Sequence, residues 1–335
     1  MKLDPSEVPF KKLKGIKKAN SIKGVRIDAD HQYFQYYGRV DFNDPKSVAM
    51  PYAGSFIKTR FEGTTLFLRF SEDNYNNGNW IGYIIDDFIQ GKFQLEVDSN
   101  DKKYLIINDL DDSVHDLTII RRTDTVDGIC AFNGLILDRG KKLHKPEPRP
   151  TRKIACYGDS ITAGVHSELF GYEGKKDPEI GSELSNGWYS WAAITARMLN
   201  ADVNINGIGG LAMADGYGYF CLPHRLGLES TYDKLNPIYD QMTPWNFNRF
   251  TPHVVVIAIG QNDSSTYPDI AKNLHNRQEW KRRYKKILKK LRDYHPEAYI
   301  ILTTTIMEHD PVWDEVLFEI VDEVADDKIT TYKYN

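Results

Sequence analysis

Short runs of apolar residues alternate with polar clusters along the first part of the chain. Between about residues 26 and 140, runs rich in Tyr, Phe, Ile and Thr are separated by Gly, Asn and Asp, a pattern typical of strands joined by turns. The clearest runs are TTLFLRF, WIGYII, KFQLEV, KKYLII and DLTII. This spacing predicts an antiparallel β-sandwich.

A polar segment, DRGKKLHKPEPRPTRK, follows these runs and contains three prolines. Proline fixes its own φ angle and lacks an amide hydrogen, so the segment suits an extended connector better than a helix or a central strand. We therefore expect a domain boundary near Pro148, with one domain over residues 1–148 and a second over residues 149–335.

Beyond this connector the pattern changes to alternating strands and helices. The runs IACYG and HVVVIAIG are almost entirely apolar, as in strands that are buried on both faces, and AYIILTTTI and KITTYKY resemble further strands. The pattern predicts an α/β domain with a parallel sheet between helical layers, a three-layer flavodoxin-like arrangement.

One long segment, NRQEWKRRYKKILKKLRDYHP, has apolar residues at intervals of three and four. This periodicity predicts a helix with one face docked on the sheet. Its Lys and Arg residues fall on the other sides, where we expect a solvated surface rather than a site for an anionic polymer. The predicted docking residues are Trp280, Tyr284, Ile287, Leu288, Leu291 and Tyr294.

Composition narrows the possible partners. The chain has 335 residues, 43 Lys and Arg against 47 Asp and Glu, and a net charge of -4, so it lacks the basic excess that nucleic-acid binding favours. The start, MKLDPSEVPFKKLKGIKK, has no apolar run of the kind found in export signals, and no run reaches membrane-spanning length. We expect a cytoplasmic protein with neither nucleic acid nor membrane as a partner.

Three widely spaced cysteines, Cys130, Cys156 and Cys221, predict neither a disulfide framework nor a paired zinc site. A reducing compartment fits this number and spacing. We expect the chain to need no metal and no organic cofactor.

The segment IACYGDSITAG carries the first candidate chemistry. It places Ser160 directly after a buried strand and at an expected helix start, and ligands of open α/β sheets bind at the carboxyl ends of the strands. Free amides at a helix start favour negative charge, such as the oxyanion of an acyl transfer. In the alternative interpretation Ser160 only caps the helix.

Two later segments favour the catalytic interpretation. The strand DVNIN is followed by GIGG, and the strand VVVIAIG is followed by Gln261-Asn262-Asp263. Three strand ends then face one pocket. Asp159 and Asp263 are also candidates for acid or base roles, but Asp residues in such loops usually accept hydrogen bonds from turn amides, and we favour that supporting role.

These blocks, GDSIT, GIGG and GQND, resemble the GDSL/SGNH hydrolase superfamily. The segments WYSWAAITARMLN and TPWNFNRFTPHVVVIAIGQND, together with the sandwich, resemble carbohydrate esterase family 2 over almost the entire chain. The resemblance implies a jelly-roll domain that is a candidate for carbohydrate contact, followed by a flavodoxin-like three-layer α/β/α SGNH hydrolase domain.

The resemblance also implies roles for individual residues. Ser160 is the implied nucleophile, and Asn262 donates its side-chain amide to the oxyanion. The backbone amides of Ser160 and Gly209 complete the oxyanion hole, with Gly210 or Gly207 as alternatives to Gly209 because the register of GIGG is ambiguous.

The implied activity is that of a serine esterase, like the acetylxylan esterases, that removes acetyl groups from oligo- or polysaccharides through an acetyl-serine intermediate. Two alternatives remain open: an inactive protein that binds carbohydrate, and an esterase for another acyl substrate such as a lipid or thioester. A loop tryptophan beside a proline, Trp245, is the candidate sugar contact, whereas we expect Trp188 in the core.

In this superfamily a histidine after the last strand activates the serine. The final residues, KITTYKYN, contain no histidine, and we expect that the coding sequence is cut short. The alternatives are a pseudoenzyme and a base supplied by another chain or by His309, which follows a strand at the functional edge. Two other histidines, His166 and His224, are weaker candidates.

Overall fold

The computed structural model describes residues 24–73, 78–176, 181–269, 271–303 and 310–333. The first part of this region forms two packed antiparallel sheets, as the sequence predicts. Their strands are β1 (Val25–Asp28), β2 (Gln35–Tyr37), β3 (Val48–Met50), β4 (Phe56–Glu62), β5 (Leu66–Glu72), β6 (Trp80–Ile85), β7 (Ile89–Gln94), β8 (Ser99–Ile107), β9 (Val114–Arg121), β10 (Cys130–Leu137) and β11 (Leu143–His144).

One sheet has the order β1-β10-β5-β8, with β3 paired to β10, and the other has the order β11-β4-β9-β6-β7, with β2 paired to β4. Strand β4 shows why these segments form a sandwich. Ile57, Thr59 and Phe61 are buried, while the alternate residues Lys58 and Arg60 face outward. The inward faces of the two sheets enclose a single apolar core.

The second part contains a parallel sheet of order β13-β12-β16-β17-β18. Strand β12 lies inside this sheet, which explains why its residues from Ile154 to Gly158 are buried. A short antiparallel pair, β14 and β15, lies apart from it. The strands are β12 (Arg152–Gly158), β13 (Ala201–Gly207), β14 (Lys234–Asn236), β15 (Thr243–Pro244), β16 (Val254–Ala258), β17 (Tyr299–Thr303) and β18 (Ile329–Tyr332).

Helices connect these strands and complete the α/β domain. The helices are α1 (Ser160–Ala163), α2 (Trp191–Met198), α3 (Leu228–Thr231), α4 (Gln261–Thr266), α5 (Leu274–Tyr294) and α6 (Val312–Val324). Within the described residues, none of them is long and apolar enough to cross a membrane.

Helix α5 docks on the sheet through the apolar stripe that its sequence predicts. Trp280, Tyr284, Ile287, Leu288 and Leu291 are all buried in the domain core, which confirms the predicted face. The sixth predicted residue, Tyr294, is about half exposed. Its ring stacks on that of Phe247 with a centroid distance of 3.9 Å.

The sandwich and the α/β domain contact each other through buried charged side chains. Arg39 donates hydrogen bonds to the Tyr157 hydroxyl (2.8 Å) and to the Lys234 carbonyl oxygen (2.6 Å). Arg122 forms a two-pronged ion pair with Glu168, with N–O distances of 3.0 and 2.6 Å. Arg39 thus joins the sandwich to β12 and β14, and Arg122 joins it to the segment that follows α1.

Candidate active site

Ser160 lies directly after β12, at the first position of α1. Asp159 precedes it and accepts a hydrogen bond from the Ile161 amide at 3.0 Å, so Asp159 is the cap residue and Ser160 is not. The helix ends at Gly164, which has a φ angle of 78°, after only four residues. The expected helix is thus a single turn, and Ser160 is its first residue.

Backbone crowding fixes this turn. A Cβ atom at Gly158 would overlap the Thr162 hydroxyl, and one at Gly207 would overlap the backbone of Ala163. Only glycine therefore lets α1 lie so close to the ends of β12 and β13. The turn holds Ser160 at the carboxyl edge of the sheet.

At the GIGG turn, residues 207–210, the structure differs from the sequence-based expectation. The Gly209 amide, which we expected in the oxyanion hole, donates a hydrogen bond of 2.6 Å to Oδ2 of Asp124 in the sandwich. It is therefore not available to an oxyanion. Gly207 lies within β13, where its role is to admit α1.

Gly210 is the glycine of this turn that remains available. Its φ angle is 73°, a conformation that glycine adopts without strain, and its carbonyl oxygen accepts a hydrogen bond from Tyr219 at 2.8 Å. Its amide makes no hydrogen bond to the described residues. Gly210 is one of the two alternatives that the sequence left open, and it remains a prediction for the oxyanion donor.

Asn262 and Asp263 begin α4, just after β16. The Asn262 side-chain amide donates one hydrogen bond to the Leu211 carbonyl oxygen at 2.9 Å, so one N–H of its two remains for a ligand. This bond ties the carboxamide to the GIGG turn and orients it.

Asp263 is fully buried and accepts hydrogen bonds from the Met213 amide at 2.7 Å and from the Trp280 indole at 2.8 Å. Burial raises the pKa of Asp263 to about 6, and burial likewise raises the pKa of Asp159 to about 6. Both carboxylates accept hydrogen bonds from turn amides, as in the supporting role that the sequence favours.

The three strand ends are neighbours, because β12 pairs with β13 on one side and with β16 on the other. Their parallel register places Gly158 opposite both Gly207 and Ala258. Ser160, Gly210 and Asn262 therefore follow three adjacent strands at one edge. A serine hydroxyl with amide donors beside it can attack a carbonyl carbon and stabilise the resulting oxyanion.

The candidate sugar contact, Trp245, is largely buried in the structure. Its side chain is 7% exposed and lies 4.7 Å from the Arg249 guanidinium and 5.2 Å from that of Arg39, so its ring faces are already covered. It lines a cavity of about 750 Å³ that also includes Lys153 and Asp202. These two residues mark the amino-terminal ends of β12 and β13, the edge opposite to Ser160.

Of the three histidine candidates, the structure describes His166 and His224. His309 lies outside the described residues. His224 stacks on Tyr239 with a centroid distance of 3.9 Å, and the His166 amide donates to the Ser185 hydroxyl at 3.2 Å. Trp188, expected in the core, is partly buried and packs against Phe56. The Arg197 guanidinium carbon lies 4.2 Å from the centre of its ring.

A serine at the end of a central strand, with a glycine turn and an asparagine after the two neighbouring strands, defines the class of SGNH-type serine hydrolases. Residues 156–327 match the model of the GDSL-like Lipase/Acylhydrolase family, and residues 36–147 match the Carbohydrate esterase 2 N-terminal model. The chain belongs to the GDSL-like lipase/acylhydrolase family and has the two-part, jelly-roll plus SGNH organisation of carbohydrate esterase family 2.

Two relatives support this assignment. The chain is 30% identical over 274 residues to the cellulase/esterase CelE of Acetivibrio thermocellus, covering 82% of this chain but 31% of CelE. It is 26% identical over 282 residues to an acetylxylan esterase / glucomannan deacetylase of Cellvibrio japonicus, covering 83% of this chain and 72% of that protein. The chain thus spans about a third of the first relative.

Solved structures show the same fold. A family two carbohydrate esterase from Clostridium thermocellum in complex with cellohexaose superposes with a TM-score of 0.76 at 26% identity, covering 89% of this chain and 87% of that one. A family two carbohydrate esterase from Cellvibrio japonicus gives a TM-score of 0.79 at 22% identity, covering 92% and 88%, and supports the fold alone.

Proposed function

We propose that the protein is a serine esterase that removes acetyl groups from carbohydrate. The observation that carries the proposal is the placement of Ser160, Gly210 and Asn262 after three adjacent parallel strands. The hydroxyl of Ser160 serves as the nucleophile. The amides of Ser160 and Gly210 and the free side-chain N–H of Asn262 are the oxyanion donors.

The reaction proceeds in two steps. Ser160 Oγ bonds to the acetyl carbon while a base takes its proton, and the carbonyl electron pair moves to the oxyanion. The oxyanion then collapses, the bond to the sugar oxygen breaks, and that oxygen takes the proton back from the base. Water attacks the acetyl-serine in the same way and releases acetate. No step needs a metal or an organic cofactor.

A base is required because a serine hydroxyl at its free pKa is a weak nucleophile. We propose His309 for this role on the ground that it follows the strand run AYIILTTTI at the functional edge. The test compares His309→Ala with His275→Ala, a histidine on the exposed first turn of α5. If His309 is the base, only His309→Ala loses turnover, and added imidazole restores part of it.

The proposed substrate is an acetylated oligo- or polysaccharide. The names of the relatives, a cellulase/esterase and an acetylxylan esterase / glucomannan deacetylase, support this substrate class. The complex of a related esterase with cellohexaose supports a glycan as the group that carries the ester.

Release of acetate from acetylated xylan and acetylated glucomannan tests the proposal, with para-nitrophenyl esters of acetate and of a long-chain acid beside them. The expected result is faster turnover of the acetylated glycans and of the short ester. A preference for the long-chain ester would favour a lipid substrate instead. Binding of the glycans without acetate release would favour a carbohydrate-binding protein.

A further inference from the structure

The sandwich domain reaches the GIGG turn through one buried carboxylate. Oδ2 of Asp124 accepts the hydrogen bond from the Gly209 amide at 2.6 Å, and Oδ1 accepts one from the Thr125 amide. The Asp124 residue is 1% exposed. A Cβ atom at Gly209 would overlap Oδ2 of Asp124, so this close contact explains why the position is a glycine.

Asp124 is itself held firmly within the sandwich. Its carbonyl oxygen accepts a hydrogen bond from Nη2 of Arg121 at 2.8 Å, and the next hydroxyl, that of Thr125, donates to the Pro51 carbonyl oxygen at 2.7 Å. Arg121 is fully buried and also donates to the Thr123 carbonyl oxygen at 3.1 Å. These contacts fix the backbone at Asp124, so that its carboxylate is held in a defined position.

Among the hydrogen bonds that hold the GIGG turn, three join it to different parts of the molecule. The Ile208 amide donates to the Gly158 carbonyl oxygen at 3.1 Å, and the Leu211 carbonyl oxygen accepts from the Asn262 side chain at 2.9 Å. Both partners belong to the α/β domain. The third bond, from Gly209 to Asp124, is the one that comes from the sandwich.

An amide stabilises an oxyanion best when it already points at the oxygen before the reaction, because it then needs no reorganisation during the reaction. The hydrogen bond from Gly209 to Asp124 fixes the peptide group between Ile208 and Gly209. The next peptide group along the chain carries the Gly210 amide. A change at Asp124 would therefore act on the oxyanion donor through the turn, without contact to the substrate.

We propose that Asp124 is a positioning residue of the active site, through which the β-sandwich holds the turn that presents the Gly210 amide to the oxyanion. The inference rests on the proposed roles of Ser160 and Gly210 in ester hydrolysis. It gives the sandwich a part in the chemistry beyond any binding of carbohydrate.

The first test measures kcat and KM for para-nitrophenyl acetate, with the concentration of competent sites taken from the burst of nitrophenol. Asp124→Ala is expected to lower kcat per competent site by about ten- to a hundredfold with KM nearly unchanged, since a misplaced group costs turnover on this scale. Asp124→Asn keeps one acceptor oxygen, and its kcat should lie between those of the parent and Asp124→Ala. Asp109→Asn, on an exposed turn of the sandwich, is the matched control.

A double-mutant cycle with Gly209→Ala tests the contact itself. In the parent, the added methyl meets Asp124, while its other close neighbour is Val126 at an ordinary 3.6 Å. Gly209→Ala should therefore cost much more kcat in the parent than in an Asp124→Ala background. Equal losses in both backgrounds, or an unchanged kcat in Asp124→Ala, would overturn the inference.

Amide hydrogen exchange separates this inference from the proposed function. Asp124→Ala should speed exchange in peptides that span residues 206–213, whereas Ser160→Ala should not. If the parent shows no esterase activity, the proposed function fails, and faster exchange in Asp124→Ala still supports the positioning contact. Unchanged exchange in that variant overturns it.

Discussion

The side-chain amide of Asn262 donates a hydrogen bond of 2.9 Å to the carbonyl oxygen of Leu211, and this bond links two of the three strand ends that form the site. It leaves one amide hydrogen of Asn262 for a ligand, which in the proposed mechanism is the oxyanion, and fixes the direction in which that hydrogen points. The donor is therefore in place before a substrate arrives.

Removal of this donor is the first prediction. Asn262→Ala should lower kcat by on the order of a hundredfold or more with little change in KM, because the oxyanion exists only during the reaction. Steady-state kinetics on para-nitrophenyl acetate measure it. Asn248→Ala, at an exposed asparagine, should retain the parent values. If the two variants had the same kcat and KM, Asn262 would not be an oxyanion donor.

A second prediction concerns the contact between α1 and β13. Gly207→Ala places a methyl group against the backbone of Ala163, which must move and take Ser160 with it. We expect a loss of about 1 to 3 kcal/mol in unfolding free energy, the usual cost of overpacking, together with a large loss of kcat. Chemical denaturation measures the first quantity.

The matched control is Gly181→Ala, where an added Cβ atom meets nothing within 4 Å. This variant should keep both stability and turnover. A Gly207→Ala protein with parental kcat would show that the position of α1 does not limit the chemistry.

The ion pair between Arg122 and Glu168 gives a third prediction. Burial opposes the charge of Glu168, yet the Arg122 hydrogen bonds and charge outweigh it and hold the pKa of Glu168 below its usual value. A lowered pKa stabilises the folded state above the unfolded pKa, and this contribution disappears as the pH falls. Glu168→Gln should therefore lose about 2 kcal/mol at pH 7.

Denaturation of Glu168→Gln and of the parent across the acid range measures this effect. The gap between the two proteins should narrow as the pH approaches the titration range of a carboxyl group. A gap that stays constant with pH would mean that the charge of Glu168 does not matter for stability.

The pKa of Glu72 is shifted in the opposite direction from that of Glu168, and this shift gives a fourth prediction. It is 3% exposed, and burial raises the pKa of Glu72 to about 7. For a raised pKa the stabilising contribution is present below the unfolded pKa and is lost as the pH rises through the folded pKa. The folded protein therefore loses stability from this group between about pH 4.5 and pH 7.

Glu72→Gln stays neutral, and its Oε1 can still accept both hydrogen bonds from Asn79. Relative to the parent, it should gain up to about 3 kcal/mol between pH 5 and pH 8. Glu315→Gln, an exposed control, should show no such trend. A pH-independent difference between Glu72→Gln and the parent would contradict the raised pKa.

Local pattern was enough to predict the two sheet types, the docked face of α5 and the three strand ends of the site. These features depend on strand and helix periods and on the residues just after each strand, all of which are visible within about twenty positions. The resemblance to a known superfamily then assigned roles at those ends.

Contacts between distant segments could not be predicted in this way. Asp124 is 85 residues from Gly209, and Arg39 is 195 residues from Lys234, whose carbonyl oxygen it binds. Such contacts explain why the Gly209 amide is already hydrogen-bonded and why guanidinium groups cover Trp245. No nearby motif marks Asp124, because its partner amide carries no sequence signal.

Acetyl transfer to Ser160 is the most direct test of the account. After rapid acid quenching of the full chain with para-nitrophenyl acetate, mass spectrometry should find one acetyl group on the peptide that contains Ser160, and Ser160→Ala should lose turnover by on the order of ten-thousandfold or more. Hydrolysis that persists in Ser160→Ala, or an acetyl group found only on another residue, would contradict the assignment of Ser160 as the nucleophile.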